Sequence, residues 1–285
     1  MVASEVELLE VFRLGEAAGE SEIVRRVGDR LAGQWLGVSR FREVETLTSR
    51  SLRVQSSPDT LLWAGRAQRA TGNLMSALGY YEQALPIYRE VGDRAGEAAT
   101  LNNIGMVHDS RGERQAALDY YEQALPNYRE VGNRAGEATT LNNIGGVHDS
   151  RGDWEAALGY YEQALPIRRE VGDRAGEAVT LNNIGMVHDS RGDWQAALGY
   201  YQQALPIFRE VGDRASEAVT RYNIAMVHRG AGRLVEAVAE LELVVALDAA
   251  VQHPDLQTDT AMLEQVRGEL HQRRSGGDKD AERGE

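Results

Sequence analysis

Residues 101–112 read LNNIGMVHDSRG, and the phrase returns at residues 141–152 and 181–192 and, in altered form, at residues 221–232. It belongs to a repeat of 40 residues that occurs over residues 78–117, 118–157, 158–197 and 198–237. Self-similarity at such a period is typical of a stacked-repeat solenoid, in which each repeat buries its apolar face only against its neighbours. The pattern therefore predicts one elongated domain without a single large core.

The composition excludes several classes of function. The net charge of −13 opposes binding to phosphate backbones, because nucleic acids are bound through basic surfaces. The sequence has no cysteine, and its one lysine, Lys279, lies in the polar tail. A thiolate nucleophile, a Schiff-base lysine and a Walker lysine are therefore absent from the repeats. We expect no nucleic-acid partner, no cofactor and no enzymatic activity.

A membrane role is not expected either. No apolar run approaches the roughly 20 residues that span a bilayer, and the N-terminal segment is too acidic for a signal peptide. We expect a cytoplasmic protein without a membrane partner.

The pattern divides the chain into four parts. These are a degenerate helical N-terminal cap at residues 1–56, the repeat array at residues 57–247, a C-terminal capping helix within residues 248–274, and a polar tail at residues 275–285 that we expect to be disordered. The cap is predicted to hold helices at residues 5–17, 21–36 and 40–54, and the terminal helix is predicted at residues 258–273.

Each regular repeat is predicted to contain two helices, A and B, as at residues 94–110 and 113–131. A glycine before each helix A suits the left-handed position beyond a helix end, and the next residue can cap the new helix. These positions hold Gly92, Gly132, Gly172 and Gly212, followed by Asp93, Asn133, Asp173 and Asp213. Asp59 is expected to cap the helix that opens the array.

A proline recurs inside helix B, at Pro86, Pro126, Pro166 and Pro206. Proline lacks a backbone donor, and its ring clashes with the preceding turn. We therefore expect helix B to bend or to be interrupted at the same place in every repeat.

The repeat resembles the tetratricopeptide repeat. The family pattern, W-x2-L-G-x2-Y followed by A-x3-F, aligns with Leu101, Ile104, Gly105, His108, Ala117, Tyr121 and Ala124. The long repeat and its LNN phrase are most similar to those of kinesin light chains, spindle-orienting adaptors and bacterial signalling proteins. The resemblance implies an all-α fold, a right-handed superhelical solenoid of about five antiparallel helix pairs, with a partner peptide bound on the concave surface lined by helix A.

Helix A offers two stripes, and one of them is expected to face this groove. Leu101, Ile104, Gly105 and His108 are expected to pack on helix B. The groove stripe comprises Asn102, Asn103, Met106, Asp109, Asn142, Asn143, Asp149, Asn182, Asn183, Met186, Asp189, Tyr222, Asn223 and Met226. Asparagine amides both donate and accept, so a ladder of them can pair with the backbone of an extended peptide. The aspartates favour a polar or basic segment.

Two further features have alternative interpretations. Arg66 and Arg69 are candidates for gripping a carboxylate at one end of the peptide, or they belong to a solvated arginine face. The asparagines either line the groove, or they satisfy neighbouring helix ends or are solvated, in which case their repetition reflects duplication alone.

Catalytic and metal sites are not predicted. His108, Asp109 and Ser110 are the residue types of a hydrolase triad, but consecutive helical side chains point about 100° apart and cannot form the chain of contacts that a triad needs. Equivalent histidines in successive repeats lie roughly 10 Å apart, too far to share one metal ion.

The sequence thus favours a non-catalytic scaffold or adaptor that binds a peptide segment of a partner protein. One alternative is a regulatory or sensor module within a larger signalling assembly. The other is self-association, in which similar repeats stack end to end between chains.

Overall fold

The computed structural model describes the backbone of residues 4–281 and the side chains as far as Arg273. The regular structure in this part of the chain is helical, so the fold class is all-α. The helices are α1 Glu5–Ala18, α2 Ser21–Gly37, α3 Phe41–Val54, α4 Pro58–Ala70, α5 Leu74–Val91, α6 Arg94–Ser110, α7 Arg114–Glu130, α8 Arg134–Ser150, α9 Trp154–Glu170, α10 Arg174–Ser190, α11 Trp194–Val211, α12 Arg214–Gly230, α13 Leu234–Val251 and α14 Leu256–Ala281. No helix within residues 4–281 has the length and apolarity that crossing a bilayer requires.

The chain forms two compact units, Met1–Val147 and His148–Glu285, which we call unit 1 and unit 2. In unit 1, helices α1 to α3 share a core around Phe12, Leu31 and Val44, and Ala67 of α4 joins it. The antiparallel pairs α4 with α5 and α6 with α7 follow. In unit 2 the pairs are α10 with α11 and α12 with α13, and α14 packs on α13. Each unit is built as a tetratricopeptide-like stack of helix pairs, as the repeats predict.

Helices A and B meet closely because a glycine on A lies against a tyrosine ring on B. The pairs are Gly65 with Tyr81, Gly105 with Tyr121 and Gly185 with Tyr201, where an added Cβ would approach the ring to 2.3, 2.6 and 2.6 Å. In the last pair both residues change together, to Ala225 and Leu241, which are buried in one cluster. A smaller side chain on helix B thus leaves room for the extra methyl group on helix A.

The predicted caps are present, with one exception. Gly92, Gly132, Gly172 and Gly212 have φ of 71°, 67°, 71° and 74°, and the residues that follow cap the next helix. The expectation for Asp59 is wrong, because Ser57 Oγ accepts the hydrogen bond from the Thr60 backbone nitrogen at 3.1 Å. Asp59 instead accepts one from the Tyr88 hydroxyl at 2.7 Å, which links α4 to α5.

The prolines do not interrupt helix B. Pro86, Pro126, Pro166 and Pro206 lie inside the continuous helices α5, α7, α9 and α11. All four are exposed, as are the residues four positions earlier, so water can satisfy the carbonyl that each proline leaves without a donor. Burial of the opposite face, for example of Ala84 and Tyr88, holds the helix together.

Buried glutamates connect each helix A to the helix B before it, a feature that the pattern of apolar residues does not indicate. Glu97 accepts hydrogen bonds from Arg89 and Arg94, each at 2.9 Å. Burial opposes ionisation of Glu97, but the two arginines outweigh it and hold its pKa below the usual value. Glu137, Glu177 and Glu217 occupy the same position and are also buried and paired with arginines.

The terminal helix is longer than predicted. Helix α14 begins at Leu256 and continues to Ala281, so it includes part of the segment for which the polar composition predicts disorder. Residues 282–285 lie outside the described residues.

Candidate functional site

The two stripes of helix A have separate neighbours. His108 stacks on Tyr120 of helix B with ring centroids 5.2 Å apart, and Leu101 packs in one cluster with Ala124 and Tyr128. The stripe expected to pack on helix B therefore does so. The other stripe, which we call the helix-A face, is described below for each unit by itself.

Two of the predicted groove asparagines are buried and hold successive A helices together. In unit 1, Asn102 Oδ1 lies 3.1 Å from the Thr140 hydroxyl and 3.3 Å from Asn143 Nδ2, which both donate to it. In unit 2, Asn182 Oδ1 accepts from the Thr220 hydroxyl at 3.0 Å. These two amides are committed to contacts within the protein, with side chains in the middle of the neighbouring helix A rather than with a helix end.

The remaining asparagines differ in burial. Asn103 is also buried, and its amide donates to the Ala99 carbonyl at 2.7 Å within the same helix. Asn142, Asn143, Asn183 and Asn223 are half-buried. The amide nitrogen of Asn223 is enclosed and finds no acceptor among the described residues. The asparagine ladder is therefore uneven in its burial, and four of its side chains remain partly accessible.

The other predicted residues of the helix-A face remain accessible. Met106, Met226 and Tyr222 are half-buried, and Met186 is exposed. Partial desolvation raises the pKa of Asp109, Asp149 and Asp189. Each unit therefore presents thioether and carboxylate groups beside its asparagines.

Arg66 and Arg69 have partners within unit 1. The Arg66 guanidinium lies over the Trp63 ring, 4.9 Å from its centroid. Burial raises the pKa of Tyr81 to about 12, against the opposing charges of Arg69 and Arg66. Both arginines are half-buried on the helix-A face.

In unit 2, two cavities that sequence reasoning missed lie along α12. One, of about 220 Å³, includes Val179 and Asn182 of α10, and the other, of about 340 Å³, includes Tyr222 of α12 and Asp259 of α14. Both also include Ala215 and Val219. We call the two together the α12 furrow. The available signal was Val179, one of the few positions at which the first and third repeats differ.

The repeat histidines show no catalytic arrangement. His108 Nδ1 lies 2.5 Å from Glu113 Oε2, while the Ser110 hydroxyl donates to the Met106 carbonyl in its own helix. His148 and His188 stack on Tyr160 and Tyr200. Among the described residues, no group of three His, Cys, Asp or Glu side chains is placed to hold a metal ion.

Comparison with known sequences identifies the family. The sequence profile of the tetratricopeptide repeat matches residues 57–130, 136–210 and 177–250. The chain belongs to the tetratricopeptide-repeat family. The matches extend over most of the array that the 40-residue period delimits. A search of curated proteins found no match to this sequence.

Several solved structures share the fold. BtubC (BKLC) from P. vanneervenii is 22% identical, with a TM-score of 0.61 over 85% of this chain and 92% of that chain. The apo form of the quorum sensor NprR from B. thuringiensis is 20% identical, with a TM-score of 0.68 over 91% of this chain and 80% of that chain. NprR in complex with its cognate peptide NprX is 20% identical, with a TM-score of 0.64 over 91% and 78%. At these identities the likeness is one of fold.

Proposed function

We propose that this tetratricopeptide-repeat protein is a non-catalytic, cytoplasmic scaffold or adaptor that binds an extended polar or basic peptide segment of a partner protein along its helix-A face. The observation that carries the proposal is the α12 furrow of unit 2. It combines exposed apolar side chains, Val179 and Val219, with the carboxylate of Asp259. A peptide segment that carries both apolar and cationic side chains needs this combination of apolar contact and negative charge.

The charge of the protein supports a basic rather than an acidic ligand. The chain carries a net charge of −13, and three aspartates recur along the helix-A face. Partial removal from water raises the pKa of each carboxyl group. A cationic peptide would relieve that cost by pairing with them.

The family and the neighbouring folds agree with this proposal. Tetratricopeptide repeats bind proteins and peptides, and NprR is a solved neighbour with a peptide bound. The two alternative functions are a regulatory module and self-association. A regulatory module would bind a peptide on the same face and thereby change the state of a larger assembly. Self-association would make the mass of the particle in solution depend on protein concentration.

The proposal is tested by selecting peptides from a random displayed library against the intact chain and measuring their affinity by calorimetry. The test variant is Val219→Arg, which places a positive charge in the furrow, where it repels a cationic peptide. Its matched control is Val235→Arg on helix α13, since Val219 and Val235 are similarly exposed, at 53% and 55%. We expect Val219→Arg to weaken the selected peptides at least about tenfold and Val235→Arg to leave them unchanged. Equal affinities for all three proteins would remove the furrow from the proposal.

A further inference from the structure

The larger cavity of the α12 furrow has one apolar wall and one acidic wall. Val219 and Tyr222 of α12 line one side, and Asp248 at the end of α13 and Asp259 of α14 line the other. His253 and Asp255, in the segment that joins α13 to α14, also border it. The cavity measures about 340 Å³, enough for one long side chain but not for a folded segment.

The acidic wall contains a buried carboxylate without a cationic partner. Asp248 is only 2% exposed, and its Oδ2 finds no hydrogen-bond donor among the described residues. The nearby Asp259 satisfies it only when Asp259 is protonated. Burial, followed by the hydrogen bond and the charge of Asp248, raises the pKa of Asp259 to about 6. The wall therefore places two carboxyl groups next to each other at one side of the cavity.

Elsewhere in the protein, buried carboxylates are matched by arginine. Glu97 is held by Arg89 and Arg94, and Glu217 by Arg209 and Arg221. Around the cavity, no arginine among the described side chains forms an ion pair with Asp248, Asp255 or Asp259, and the cationic candidate nearby is His253 at 3.7 Å from Asp255. A buried, unpaired carboxylate is costly, so a cation that enters this cavity gains more than one that pairs at the surface.

We propose that this cavity binds the guanidinium group of an arginine side chain from the peptide ligand. The proposal rests on the proposed function for the source of the arginine, whereas the cavity itself is a property of this chain. A planar guanidinium donates to two carboxylates at once, which suits Asp248 and Asp259. Val219 and the ring of Tyr222 cover the aliphatic part of the side chain.

The test is a titration of the full chain, labelled with ¹⁵N, with N-acetyl-arginine amide and with N-acetyl-citrulline amide. Citrulline has almost the same shape as arginine but no charge. We expect the arginine compound to shift resonances of residues 215–222 and 253–259 in a saturable way, and the citrulline compound to bind at least about tenfold more weakly. Equal binding of both compounds, or no saturable shift at these residues, overturns the proposal.

Variants of the acidic wall test which groups form the site. Asp259→Asn is expected to weaken the arginine compound at least about tenfold, and Asp248→Asn likewise where thermal unfolding shows that it still folds. Asp259 is half-buried, so Asp259→Asn keeps the test valid if the buried substitution does not fold. The matched control is Glu236→Gln, which removes the same charge from an exposed position on α13. Undiminished binding to Asp259→Asn contradicts the inference.

The peptide experiments separate this inference from the proposed function. If selected peptides bind the intact chain but replacement of their arginine by citrulline has no effect, the arginine cavity is wrong and the peptide face stands. If the arginine compound binds and no library peptide does, the cavity stands and the peptide function fails.

Discussion

Arg221 and Glu240 form a partly buried ion pair between α12 and α13, with 2.5 Å between Nη1 of the arginine and Oε2 of the glutamate. Arg221 is only 4% exposed, and its Nε also donates to Glu217 at 3.0 Å. The preceding repeats have leucine at the position of Arg221 and tyrosine at the position of Glu240. The last pair has therefore exchanged an apolar contact for an ionic one, with both partners changed together.

This exchange predicts a strong dependence of each partner on the other. Arg221→Leu alone leaves the half-buried Glu240 without its partner, and we expect it to lower the free energy of unfolding by about 1–3 kcal/mol. The double variant Arg221→Leu, Glu240→Tyr restores the pair of the preceding repeats, and we expect it to recover most of that loss. Denaturant unfolding followed by circular dichroism measures both. Arg267→Leu, which breaks an exposed pair with Glu242, should cost less than about 1 kcal/mol.

The close contact of Gly105 with Tyr121 predicts that a methyl group is not tolerated there. Gly105→Ala would place a Cβ 2.6 Å from the tyrosine ring, and we expect a loss of about 1–3 kcal/mol. Gly79 lies inside α5 with no atom near the corresponding Cβ, so Gly79→Ala should stabilise the protein by about 0.4–1 kcal/mol. Thermal unfolding should therefore show a lower melting temperature for Gly105→Ala and a higher one for Gly79→Ala. A destabilised Gly79→Ala protein would show that helix propensity is not the governing factor.

The Asp248 and Asp259 pair predicts a specific pH dependence of stability. Because burial and Asp248 raise the pKa of Asp259 to about 6, the folded protein binds this proton more tightly than the unfolded chain, whose aspartate has its ordinary value near 4. Protonation therefore stabilises the fold. The contribution is complete below about pH 4 and is lost as the pH rises through about 6.

Asp259→Asn removes this titration. The melting temperature of the variant relative to the unaltered protein should rise between pH 4 and pH 7, since only the unaltered protein loses the contribution of the Asp259 proton over that interval. His253, Asp255 and Asp248 also face Asp259 and remain in both proteins. A difference in melting temperature that stays constant with pH would contradict the assignment.

Asn182 and Asn223 should respond differently to substitution. Asn182→Ala removes the acceptor of the Thr220 hydroxyl at a buried position, and we expect a loss of about 1 kcal/mol. The enclosed amide nitrogen of Asn223 has no acceptor among the described residues, so Asn223→Ala should change stability by less than about 0.5 kcal/mol. Denaturant unfolding of both variants measures the difference, and a larger loss for Asn223→Ala would show that its amide supports the fold.

The sequence predicted the helices and their ends, because these depend on residues that are close together in the chain. The bounds of α6 and the glycine that precedes it follow from the repeat phrase and from the left-handed backbone after a helix. The repeat phrase did not predict which way the asparagine side chains point. An amide such as that of Asn102 can either line a groove or form a buried hydrogen bond between helices. Whether it is buried depends on Thr140, which is distant in the sequence.

The acidic cavity was beyond prediction for a related reason. Asp248 and Asp259 are on different helices, and neither belongs to the repeat. Their proximity depends on how α14 packs against α13. The repeat pattern does not predict which residues of these two helices lie opposite each other. Helix B continues through its proline because exposure to water, which the phrase does not reveal, decides whether a lost donor interrupts a helix. The bend at the proline stays a prediction.

Arg229 occupies the position held by Asp149 and Asp189 in the earlier repeats, and it is paired with Glu269 of α14 over 2.5 Å. Glu269 lies 40 residues after Arg229, at the place where another repeat would carry its aspartate. Arg229 lies in the last, altered repeat and Glu269 in the helix that follows it. The contact that closes the array therefore does not depend on how many near-identical repeats precede it.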